Sequence, residues 1–269
     1  MRIKLVLLFL LFAGVAAADE ADTRKRILLI GQEKDKHPPA THEYIAGTLV
    51  MQRCLRQHPR LDLQVVQANG AWPEGNDLLA DADAAVLFVA QGAQWLHEQP
   101  RRIEAFTKFA QRGGGLVCLH WAMGTKPAEY IEPFRSLFGG CHGGPDRRYE
   151  ILKSTVVLAD AGHPTVRGIQ PFEVKDEFYF QLKFADAKPA PQPIWRISVD
   201  GTPQTVAWAW ERPDGGRSFG FSGLHFHSNW SIAAYRRLVS QAVLWSAGLP
   251  VPEEGWDVEI DDSALALPE

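Results

Sequence analysis

Cysteine is scarce in this sequence. Three occur in 269 residues, Cys54, Cys118 and Cys141, and an odd, low count excludes a disulfide framework. Cys54 falls in an amphipathic pattern and Cys118 in an apolar run, so both read as packed thiols. No cysteine pair has zinc-ligand spacing, and there is no HExxH. The nucleophile elbow GxSxG is missing, as is a glycine-rich loop of phosphate-binding spacing after the first strand. Basic charge is not in excess: 28 Lys and Arg stand against 32 Asp and Glu, a formal net charge of -4. That balance gives no reason to expect a nucleic-acid partner. Past residue 18 no long apolar run remains, so no membrane partner is expected once the N-terminal segment is removed.

That segment has the pattern of a secretory signal peptide. Arg2 and Lys4 form the basic start, Leu5 to Val15 the apolar run, and Ala16-Ala17-Ala18 the small-residue cleavage signal. A lipoprotein would need a cysteine next, where Asp19 stands. The expectation is a signal peptide over 1–18, a single α/β domain over 19–250 and an acidic C-terminal tail over 251–269. The mature chain is then exported, to the periplasm or beyond. With 46% hydrophobic and 22% charged residues, the whole sequence suits one large globular domain.

Arg26 to Gly31, Leu61 to Val66, Ala84 to Val89 and Gly115 to Leu119 read as strands buried on both faces, alternating with helical stripes. Such alternation is the signature of a doubly wound parallel sheet. Thr41 is the expected N-cap of the first helix, which runs to Gln57. From residue 123 the grammar changes. Gly139 to Gly144 reads as a flexible loop, 149–158 as a strand, and Asp176 to Phe180 as a short extended piece. Ile194 to Val199, Thr205 to Trp210 and Arg217 to Phe221 are three more strands, the last two joined by a turn at Pro213-Asp214-Gly215-Gly216. Ile232 to Trp245 is a closing helix, and the tail wraps the surface.

The stretch Gly113 to Ala122 organises the rest. It delivers His120 and Trp121 to the carboxyl end of a parallel strand, where ligands bind in open α/β sheets. Other polar groups fall in loops: His42, His142, His163, Asp176, Glu177, His225 and His227, with Tyr44, Trp95, Tyr179 and Trp230 beside them. Histidines with carboxylates suit a divalent metal such as zinc, or acid/base work on a sugar stacked on aromatic rings. The two roles exclude each other at His120, because a metal-bound nitrogen cannot exchange a proton. A histidine or tryptophan that merely packs in the core is the plain alternative for each. His225 and His227 point the same way if the chain there is extended. His163-Pro164 and His58-Pro59 read as turns, and His97 as a solvated residue at a helix start. An amidotransferase nucleophile would sit where His120 stands; Cys118 comes two residues too early.

Gly113 to Ala122, Phe138-Gly139-Gly140, His163-Pro164, Asp176-Glu177-Phe178-Tyr179, and Gly223-Leu224-His225 with Trp230 together resemble the ThuA-like family, named for trehalose utilisation. The resemblance spans Arg26 to Gly248. It implies a flavodoxin-like three-layer α/β sandwich with a mostly parallel sheet, like class I glutamine amidotransferases but without their nucleophile. It further implies a role in sugar metabolism on oxidised (3-keto) glycosides or related sugars, and a pocket built from His42, His120, Glu177 and His225. Gly223 to His227 departs from the family's commoner Leu-Gly-His pattern, and His225 is the position carried over. The resulting expectation is an exported enzyme with isomerase, lyase or hydrolase chemistry on a small carbohydrate. His120, Glu177 and Asp176 are its catalytic candidates. Tyr44, Trp121, Tyr179, His227 and Trp230 are the sugar contacts, and His42, His120 and His225 the metal ligands. The alternative is a non-catalytic carbohydrate-binding module.

Overall fold

Short apolar runs bounded by glycine make the central strands of the computed structural model, which describes residues 24–267. The expected signal peptide, 1–18, lies outside the described residues. The first half of the chain gives β1 (Lys25–Gly31), α1 (Tyr44–Leu55), β2 (Leu61–Gln67), α2 (Gly75–Asp81), β3 (Ala84–Phe88), α3 (Gly92–His97), α4 (Pro100–Gln111) and β4 (Gly115–Leu119). β3 and β4 are buried at every residue, as continuous apolar strands of a covered parallel sheet must be. β2 departs from that expectation. It is the edge of the sheet, and only Leu61 and Val66 are fully buried.

The second half gives β5 (Gly124–Thr125), α5 (Ile131–Phe138), β6 (Gly140–Gly143), β7 (Arg148–Leu158), β8 (Phe172–Phe180), β9 (Lys183–Phe184), β10 (Gln192–Val199), β11 (Thr202–Glu211), β12 (Arg217–Phe221) and α6 (Ala233–Ser246). Nine strands form one mixed sheet in the order β2-β1-β3-β4-β12-β11-β10-β7-β8. The five from β2 to β12 run parallel, and the rest continue antiparallel. α1 and α6 pack together on one face, while α2, α3, α4 and α5 pack together on the other, the arrangement right-handed crossovers produce. Residues from the tail lie over α1 and α6: Gln57 donates to the Glu259 carbonyl at 2.8 Å and Arg236 to that of Val258 at 3.3 Å.

Several local expectations are corrected. Gly139 to Gly144 is not a flexible loop: β6 is buried along its length and pairs with β5 and β9. Its glycines let the indole of Trp208 lie where a Cβ at Gly140 would stand, 2.8 Å away. Asp176 to Phe180 is the second half of a nine-residue strand. Thr41 does not cap α1; its hydroxyl donates to the Pro38 carbonyl at 2.6 Å, and no side chain caps that helix. His97 closes α3 rather than starting a helix, with Nδ1 2.7 Å from the Ala93 carbonyl.

Candidate functional site

Three strand ends supply three histidines. His42 follows β1, His120 follows β4 directly, and His225 follows β12. The backbone at each exit is left-handed at a non-glycine residue, with φ of 54° at His42, 49° at His120 and 76° at Leu224. Such conformations cost roughly 1–3 kcal/mol each and persist where surrounding contacts enforce them. The enforcing contacts are visible. The His42 amide donates to the His225 carbonyl at 3.1 Å. The Leu224 and His225 amides donate to the Asp176 carboxylate at 2.7 and 3.2 Å. Glycine at 223 makes that approach possible, since a Cβ there would stand 2.9 Å from Asp176 Oδ2 and 2.5 Å from the Phe221 ring.

The imidazoles meet at one point. His42 Nε2 lies 3.0 Å from His120 Nε2 and 3.1 Å from His225 Nδ1, and the third edge, His225 Nδ1 to His120 Nε2, is 3.3 Å. Glu177 Oε1 stands 3.8 Å from His120 Nε2 and 3.6 Å from His225 Nδ1. Tautomers follow from the outer partners. His120 Nδ1 is 2.8 Å from the Ser222 carbonyl oxygen, which can only accept, so Nδ1 carries the proton. His42 Nδ1 is 2.9 Å from Asp35 Oδ2. Burial pushes the Asp35 carboxyl up, but hydrogen bonds from His42 and His37 outweigh it and hold it well below the usual range. It is therefore an ionised acceptor, and His42 also carries its proton on Nδ1. Both Nε2 lone pairs then face each other across 3.0 Å with no proton between them.

Burial keeps the imidazoles neutral. It pushes His42 down, His120 well down, and His225 to about 4. Burial raises the carboxyls instead, Glu177 to about 7 and Asp176 to about 6. Neutral imidazoles with lone pairs converging beside a carboxylate are a metal-ligand set. Nitrogens bound to one ion at the tetrahedral angle would be about 3.3 Å apart.

His42 and Glu177 open onto a cavity of about 510 Å³, a usual size for a small-molecule site, with His120 and His225 buried behind them. Trp121 and Tyr179 line it, as expected, with Gln91, His142, Arg147 and Tyr149. The Tyr179 ring is sandwiched between His120 at 4.6 Å and His142 at 4.2 Å, and its hydroxyl lies 3.0 Å from His120 Nε2.

Other expected site residues lie elsewhere. Asp176 does not face the cavity. Side chains alternate along β8, so Glu177 and Tyr179 share the cavity side while Asp176 points into the core, bonded to backbone amides and to the Tyr235 hydroxyl at 3.0 Å. Tyr44 stands behind His42, its hydroxyl 2.9 Å from Asp35 Oδ2. Trp230 packs in the core against Phe88. His227 begins a tight 3-10 turn, so the extended geometry that would align it with His225 is lost; its Nε2 lies 3.1 Å from the Leu265 carbonyl. His163 caps a 3-10 turn, in keeping with its reading as a turn residue.

Sequence reasoning missed Asp35, which bonds to His42, and His37, which stacks over it, and it left His142 and Arg147 without a role. Only the seven-residue spacing from Asp35 to His42 on one strand-end loop could have pointed to the first.

Residues 26–246 match the ThuA family, described as trehalose utilisation. No curated protein matches the sequence. Among solved structures, a ThuA-like protein from Parabacteroides merdae is 15% identical, with 88% of this chain and 98% of that one covered and a TM-score of 0.61. One from Bacteroides uniformis is 14% identical, with 87% and 95% covered and a TM-score of 0.63. A cold-adapted β-galactosidase from Rahnella sp. R3 shares the fold over 85% of this chain but 32% of its own, at 11% identity and a TM-score of 0.51. At these identities the structures attest the fold alone, whereas the family match spans the strands, the four cluster residues and the final helix, so the chain belongs to the ThuA family and has a carbohydrate-related role.

Proposed function

We propose that the cleft is the active site of a carbohydrate-processing enzyme in which His42, His120 and His225 hold a divalent metal such as zinc, with Glu177 beside it. The observation that carries this reading is the pair of Nε2 lone pairs, on His42 and His120, 3.0 Å apart with both Nδ1 protons committed elsewhere. Neither ring can supply the other with a proton, and a cation bound to both lone pairs relieves their repulsion. The Asp35–His42 contact is the carboxylate–histidine pairing that orients metal ligands. A bound ion supplies Lewis-acid polarisation of a sugar oxygen. His120, fixed at both nitrogens, is not free to exchange a proton, so this reading moves proton transfer to Glu177. Burial raises that carboxyl to about 7 without an ion, and a cation beside it would draw it down toward the ionised form that a base needs. Tyr179 offers a hydroxyl donor, and Trp121 and Tyr149 offer aromatic faces to the sugar ring. The chemistry that fits is isomerisation, elimination or hydrolysis on a keto-sugar or glycoside.

The finer fold assignment belongs to the same reading. The parallel half follows the order 2-1-3-4-5 of flavodoxin-like folds if β12 counts as the fifth strand, and His120 takes the turn where a class I amidotransferase would carry its cysteine. Export rests on the signal pattern of residues 1–18.

Elemental analysis of the purified protein tests the metal. About one ion per chain is expected, lost in His42→Ala and His225→Ala. Turnover of 3-keto-glucosides by the metal-loaded protein, abolished in Glu177→Gln, tests the chemistry. A metal-free protein that turns over sugar with His225→Ala intact would overturn the metal, and sugar binding without any turnover would favour the binding module.

A further inference from the structure

The cavity above the histidine cluster is unbalanced in charge. Lys36, Lys126 and Arg147 line it, and among the described residues none of the three has an acidic partner within ion-pair distance. The two carboxylates on its wall are already engaged, Asp35 with His37, His42 and Tyr44 and Glu177 with the cluster. A neighbouring cation behaves differently: Lys183, close to Arg147 in space, is neutralised by Asp146 at 2.9 Å. Three cations thus converge on one cavity whose two carboxylates are both already engaged.

The same wall holds two buried polar atoms without a partner, His142 Nε2 and Gln91 Oε1. His142 is 1% exposed and lines the cavity. Buried polar atoms are ordinarily satisfied, so orphaned ones at a cavity wall point to a polar ligand. His142 cannot itself supply a positive charge. Burial, then the charges of Arg147 and Lys183, push it down to about 3. The cationic character of this end therefore belongs to Arg147 and the lysines. Arg147 is held in place by its Nη1, which donates to the Gly144 carbonyl at 3.0 Å, leaving the rest of a planar fork that suits bidentate recognition of an anion.

We propose that the ligand of this cleft is an anionic sugar, one whose carboxylate or phosphate is received by Arg147, Lys126 and Lys36, with His142 and Gln91 bonding the hydroxyls between that group and the histidine cluster. The proposal rests on the reading of the cleft as a sugar site and narrows its substrate class. Carboxylate and phosphate share the chemistry the cations recognise, and the cavity leaves room for either on a mono- or disaccharide.

The test is calorimetric titration of the metal-loaded full chain with glucose, glucuronate and glucose 6-phosphate. At least one of the two anions is expected to bind about tenfold more tightly than glucose, with the margin falling as salt is raised. Tighter glucuronate assigns a carboxylate, and tighter glucose 6-phosphate a phosphate. The double variant Lys126→Gln, Arg147→Gln should lose the margin while keeping its affinity for glucose. Equal or tighter binding of glucose, or a margin that survives in the double variant, overturns the proposal. Metal content read in the same samples tests the histidine cluster separately, so the anion preference and the metal site can fail independently.

Discussion

The Nδ1 of His120 lies 2.8 Å from the carbonyl oxygen of Ser222, and this single contact decides what the rest of the ring can do. With the Nδ1 proton donated there, Nε2 presents a lone pair to His42 and His225. Ser222 follows β12 and His120 follows β4, strands that pair directly in parallel. The tautomer is thus set by sheet register, through backbone rather than through a replaceable side chain.

Asp35 plays the corresponding part for His42. Replacing it by asparagine keeps the shape but removes the charge that holds the Nδ1 proton. The expected outcome for Asp35→Asn is a metal affinity weaker by about 10- to 100-fold, measured by competition with a chromophoric chelator, with the melting temperature of the metal-free protein little changed.

Asp176 makes a contrasting prediction. Its carboxylate accepts from the amides of Glu177, Leu224 and His225 and from the Tyr235 hydroxyl, and it has no exposure to solvent. Asp176→Ala strands those donors and frees the left-handed turn at Leu224. A loss of about 3 kcal/mol in chemical denaturation is expected, together with reduced metal retention because His225 is no longer held. An alanine variant as stable as the parent would contradict this role.

How far the sequence disclosed this arrangement depended on whether chemistry and periodicity agreed. Leu116 to Leu119 is apolar because both faces of its strand are covered, so its position and the exit at His120 were readable. Glu177 was found, but its neighbour Asp176 was misassigned, because the chain around them read as a short extended piece. Once β8 is known to be a nine-residue strand, alternation alone separates the two carboxylates onto opposite faces. The pairing of β8 with β7 could not be read, since it is a contact between distant strands with no local signal. Cys141-His142 was hidden for another reason: glycines on both sides imitate a loop, where they in fact admit the bulk of Trp208 against β6.

His142 gives a pH prediction. Its folded value is depressed to about 3 from an ordinary 6.5, so the unfolded chain binds the proton more tightly. Its contribution to stability is fully present above 6.5 and is lost as pH falls toward 3, by up to about 1.4 kcal/mol per unit. His142→Asn should flatten the acid limb of stability over that window in urea titrations at successive pH values. Asp176 and Glu177, whose values are raised, act in the opposite direction and lose their contribution as pH rises through about 6 and 7.

The thiols yield a simple outcome. Cys54, Cys118 and Cys141 are all buried, and burial raises each thiol, Cys54 and Cys141 to about 12 and Cys118 well above its ordinary value. Iodoacetamide at neutral pH should leave all three unmodified in the native protein and label all three in denaturant, read by mass spectrometry. Fast native labelling of Cys118 would reopen a cysteine nucleophile.

The pairing of β4 with β12 also sets a timetable. His42 and His120 leave the ribosome in the first half of the chain, but their third partner and the carbonyl that fixes the His120 ring come from residues 222–225, about a hundred residues later. A nascent chain stalled before Gly223 has the first two imidazoles and no closed triangle to hold an ion. The site can therefore be assembled only in a nearly finished polypeptide, which leaves an unfinished chain little chance to capture a stray ion in it.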